Sequence, residues 1–110
     1  MKQCISVKQL EQLTNEQQIK VATLAGEYGN CCNTGGETMN LGKLSDKLTI
    51  GKMIEILSDN GITEISPVWD NDGNITGWSV DICDPDKGGW FVQTELCDCL
   101  WEAVKKCGIS

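Results

Sequence analysis

The sequence predicts an α+β fold: an N-terminal helical arm, then a helix, a three-stranded antiparallel meander and a closing helix. Three observations carry this. Apolar residues recur at helical spacing after Thr49 and again after Thr94. Between them lie strand-like runs, EISPVW, NITGWSVDIC and GWFVQ, separated by turn residues. The 110 residues, 40% hydrophobic, are enough to bury roughly two-thirds of the unfolded surface around a core.

Residues 1–29 form the arm. Ser6 can cap a short helix with Val7, Leu10 and Leu13 on one stripe. Thr14 and Gln17 match a capping box, in which each side chain satisfies the other's free backbone N–H. The helix they open runs to about Tyr28 through Val21, Leu24 and Ala25, with Gly29 as its stop. Residues 30–48 change character. They are Gly- and Asn-rich, hold the Cys31-Cys32 pair, and read as a linker or loop with room for one short strand near Thr38–Leu41.

Residues 49–110 read as a compact α-β-β-β-α unit. Thr49 caps a helix whose stripe is Ile50, Met53, Ile54 and Leu57, ended by Asn60-Gly61. The hairpin that follows has two open registers. A two-residue turn at Asp72-Gly73 pairs Ile65 with Val80 and Trp69 with Thr76, gathering Ile65, Trp69, Trp78, Val80 and Ile82 on one face. A turn at Asn71-Asp72 with Gly73 as a bulge shifts the strand by one residue and reverses its faces. The first is preferred for its larger apolar face, although it sets Pro67 opposite Trp78 where a donor is wanted. Either way Pro67 argues for an edge strand. Asp84 to Gly89 turn the chain into a third strand, Trp90–Gln93. Thr94 then caps a helix with Leu96, Leu100, Ala103, Val104 and Cys107 inward. Its acids stand at the start and Lys105 and Lys106 at the end, in accord with the helix dipole.

The segments LTIGKMIEIL and ELCDCLWEAVKK, flanking a Trp-containing hairpin, resemble a group of small proteins encoded by phages and prophages of gut-type anaerobic bacteria. Those proteins pair a TIGxMIExL helix with an ELCDALWEAVK-like helix. The likeness spans about residues 48–107, with Cys99 where Ala is expected. It implies a mobile element, a bacterial cytoplasm and an accessory or host-directed role. The group carries no assigned activity, so the resemblance transfers no functional residues.

Charge is uneven. Residues 53–110 hold 11 Asp/Glu and 3 Lys, whereas residues 1–52 hold 5 and 6. With a net charge of −7 and no Arg, the chain is a poor match for free nucleic acid or an anionic membrane. A basic protein is electrostatically allowed. No signal peptide or membrane span is read, and the seven Cys are an odd set, so free thiols in a reducing cytoplasm are expected.

Catalytic chemistry finds little to use. His is absent, which removes the usual general base and the commonest metal ligand. Cys31-Cys32 and Cys97-x-Cys99 lack zinc-knuckle spacing, and on the last helix positions 97 and 99 point about 200° apart. Asp70 to Asn74 resembles a calcium loop only until Ser79 falls where a bidentate Glu is needed. Cys97, near a helix start, has Glu95 and Asp98 beside it to oppose a thiolate. No enzyme, cofactor or metal site is expected.

What remains is binding. The expectation is a small, non-catalytic, phage-type accessory protein that acts by protein–protein contact, with a homodimer as one arrangement. Trp69, Trp78, Trp90, Asp81, Asp84 and Asp86 are the candidate contact residues. The alternative is an acidic nucleic-acid mimic that inhibits a host or defence nucleic-acid-binding protein. An apolar open sheet face favours the first, a carboxylate-lined face the second.

Overall fold

The structure, a computed structural model, describes residues 3–31, 39–59, 63–82 and 89–109. Helices α1 (Val7–Glu11), α2 (Asn15–Leu24), α3 (Tyr28–Cys31), α4 (Leu41–Lys47) and α5 (Ile50–Asp59) come first. Strands β1 (Thr63–Trp69), β2 (Ile75–Ile82) and β3 (Gly89–Gln93) follow, then α6 (Leu96–Val104), which runs on as a π-helical turn, Lys105–Ile109. The sheet is antiparallel in the order β1-β2-β3, so the α+β meander read from the sequence is present.

Local signals explain most helix starts. Thr14 and Gln17 form the expected capping box on α2, and Ser6 and Gln9 form a second one on α1. Thr49 caps α5 by accepting from the Lys52 N–H at 3.1 Å. Thr94 does not cap α6. Glu95 takes that position with no capping hydrogen bond from its side chain, because β3 and its bend carry the chain one residue further before the helix begins.

Helix α2 also stops before Gly29. Gly26 adopts φ +70, and the Gly26 and Glu27 N–H groups bond back to the Thr23 and Ala22 carbonyls. That is a Schellman stop, for which a left-handed glycine is favoured. Tyr28 therefore begins a separate turn.

The expected linker contains helix α4. Asn40 caps it, and Leu44 is buried along it, with Leu48 just beyond its end. Ser45 is buried too, its hydroxyl satisfied by the Ile5 carbonyl at 2.6 Å. Leu10, Val21 and Leu44 share one cluster of buried residues with Met53, Val80 and Leu100. The arm thus packs into the same core as the meander. A main-chain clip reinforces this: Ile5 N–H donates to Leu48 O, and Ile50 N–H donates to Gln3 O.

Helix α6 packs on β2, β3 and α5. Only Asp98 and Glu102 among Leu96–Val104 are less than fully buried, so this helix is apolar nearly all round rather than on a stripe.

The hairpin combines features of both expected registers. From Thr63 to Val68 it follows the preferred one, with Ile65 opposite Val80 and Pro67 opposite Trp78. At the tip the alternative holds: Gly73 sits at φ +83, Asp70 N–H donates to Asn74 O, and Trp69 faces Ile75. An irregularity between Val68 and Trp69 absorbs the one-residue difference.

Candidate functional site: the open face and the free edge of β3

Strand alternation sorts the sheet residues onto two faces. Ile65, Pro67, Trp78, Val80, Ile82 and Phe91 point toward the helices, and Val80 and Ile82 are fully buried there. Glu64, Ser66, Val68, Ser79, Asp81, Trp90 and Val92 lie on the opposite face, for which the main helical contacts supply no cover. Its cross-strand rows are Glu64–Asp81–Trp90 and Ser66–Ser79–Val92.

The candidate contact residues are therefore separated. Trp90, 70% exposed, and Asp81 are neighbours on the open face. Trp78 is on the covered face, half-buried against the core, and is not part of the open surface. Trp69, 58% exposed, stands at the hairpin tip beside exposed Ile75. Asp84 and Asp86 lie outside the described residues. The fourth tryptophan, Trp101, is a buried core residue with the Lys105 ammonium 5.9 Å from its ring centre.

The open face is mixed rather than acid-lined. Its described carboxylates are Glu64 and Asp81, while Trp90 and Val92 gather at β3. Asp70, on the hairpin turn, is occupied locally. Its carboxylate accepts from the Asp72 and Asn74 N–H groups at 2.8 and 2.9 Å, and the Asn74 bond foremost holds its pKa below the ordinary value.

Cys99 fixes the seam beneath this face. Its sulfur lies 3.0 Å from the Phe91 carbonyl and 3.5 Å from the Trp78 carbonyl. Two carbonyls on neighbouring strands reach one sulfur only if both point into the β2–β3 seam. Backbone polar groups alternate in direction along an antiparallel strand. Phe91 and Gln93 thus bond toward β2, and Trp90 and Val92 turn their N–H and C=O outward to the free edge. The same parity spends Trp78 on β3, so Pro67 opposite it faces outward, where its missing N–H breaks no ladder bond. Burial pushes the Cys99 thiol pKa up, which keeps it a neutral donor. Gly77 completes the seam, since a Cβ there would stand 2.9 Å from the Gln93 carbonyl.

Elsewhere a hollow of about 550 Å³ is lined by Cys31, Lys43, Asp46 and Lys47. The sequence reading did not single it out, although Lys43 and Lys47 at i, i+4 on one helix were a usable signal. Among the described residues no group of His, Cys, Asp or Glu is arranged to hold a metal, and Cys4, Cys31, Cys97 and Cys99 form no disulfide. No described helix is long and apolar enough to cross a membrane. Comparison with protein families, with curated proteins and with solved structures finds no match.

Proposed function

We propose that this chain is a small non-catalytic accessory protein that acts by binding another protein through the open face of its sheet at β3. The observation that carries the reading is Trp90, 70% exposed beside Val92, 44% exposed, on a strand without charge. Large apolar side chains grouped on an uncovered face mark contact surfaces. The resemblance to phage-encoded proteins supplies the setting: a bacterial cytoplasm and an accessory or host-directed task. The lack of His in the sequence removes the usual general base, which favours a binding over a chemical role.

The test is affinity capture from a bacterial lysate with the tagged protein and a Trp90→Ala/Val92→Ser variant, both checked for native circular dichroism. The expected result is one stoichiometric protein, this chain itself included, lost by about tenfold or more in the variant and insensitive to salt. Capture that survives this variant, fails with Asp81→Asn and weakens steeply with salt would instead favour the nucleic-acid mimic.

A further inference from the structure

We infer that β3 pairs with β3 of a second copy, edge to edge and antiparallel, about a two-fold axis at Phe91. This deepens the binding reading and rests on it. Among the described residues, strand β3 is a free edge of the sheet, without proline and without charge, in a chain of net charge −7. Its parity suits self-pairing. With Phe91 on the axis, Trp90 meets Val92 of the second copy and Val92 meets its Trp90. These are the residues whose N–H and C=O point outward. Each donates to and accepts from its opposite number, so the whole described strand, Gly89 to Gln93, is used without overhang.

The side chains agree with the backbone. Trp90 and Val92 share the open face, so pairing sets each Trp ring beside the opposing Val as a cross-strand apolar pair. Both are removed from water in one step. Charge does not oppose the union. Asp81 sits on β2, so the two Asp81 side chains stand three strand spacings apart, roughly 14 Å at about 4.8 Å each. That exceeds the screening length of about 8 Å at physiological salt. A strand bearing carboxylates would have met its own copy at one spacing. Lack of charge also argues for a second copy over a basic partner, since β3 offers a basic strand nothing to pair with.

The test measures mass and amide exchange on the full-length protein. Sedimentation should give twice 12.0 kDa at high concentration, dissociating on dilution. The Trp90 and Val92 amides should become protected from exchange as concentration rises, while the Phe91 and Gln93 amides are protected throughout. Val92→Pro deletes an outward N–H without touching the β2–β3 ladder, and should weaken association by about tenfold or more. Val92→Glu keeps that N–H but sets like charges across the axis. It should act the same way should the proline disturb the fold. A monomer at every concentration overturns the proposal. So does a dimer in which both amides still exchange freely. Either result leaves the binding reading intact if β3 still captures a different protein, and that reading falls separately if capture ignores Trp90 and Val92.

Discussion

The sheet has two edges, and they are built differently. β1 carries Glu64, exposed to solvent, and Pro67, whose ring replaces a backbone donor on the outer side. A proline and a charge are the common means by which proteins blunt a strand edge against unwanted pairing. β3 has neither, and shows Trp90 and Val92 instead. The same meander therefore guards one edge and offers the other. An exposed tryptophan alone says little, but an apolar edge opposite a blocked one is a directional arrangement.

The largest expected effect comes from breaking the seat of β3. Gly77→Ala drives a Cβ against the Gln93 backbone, which has no flexible end to yield. A loss of about 1–3 kcal/mol in urea unfolding is expected, with loss of association in step. A variant of unchanged stability would show that β3 is not held by close approach at Gly77.

A smaller effect sharpens the contrast by making β1 resemble β3. Pro67→Thr restores the outward N–H. The unfolded chain gains freedom, so stability should fall by about 0.4–1 kcal/mol. The second edge should also begin to pair, giving species larger than a dimer in sedimentation at high concentration. If association stays as in the wild type, Pro67 is not what silences β1, and Glu64 becomes the residue to remove.

The smallest effect is on the Cys99 seam and appears only at alkaline pH. Burial raises the folded thiol pKa above its ordinary value of 9.0, so the unfolded thiol ionises first. Its contribution is fully present below that value and is lost as pH rises through the folded pKa. The urea midpoint of the wild type should fall above about pH 9, and that of Cys99→Ala should fall less. Identical profiles would mean that the sulfur does not ionise differentially.

Much of this edge asymmetry was legible. Pro67 pointed to an edge strand because a proline cannot serve a central ladder, and β1 is an edge. The hairpin, β3 and α6 were legible from turn chemistry and apolar period. The assignment of faces to the tryptophans was not, because a bulge near Trp69 changes parity and the sequence does not announce bulges. Helix α4 was missed because Gly42 and the polar residues between Leu41, Leu44 and Leu48 hide a stripe of only three residues. The helix depends on tertiary burial more than on its own propensity. The end of α2 was missed because Gly26 and Gly29 both suit a stop, and only the backbone at Gly26 decides between them.

The clip between Gln3–Ile5 and Leu48–Ile50 bears on how the chain is made. Gln3 and Ile5 find their main-chain partners only after more than forty further residues have been added. Gln9 waits longer still, since its side chain donates to Asp98 at 3.0 Å. The meander, by contrast, closes through neighbours in sequence, and such local contacts form quickly. The arm is thus synthesised before the meander and settles after it. A premature stop before α6 would leave α2 without the Lys105–Ile109 turn it packs on, with apolar surface open to wrong contacts.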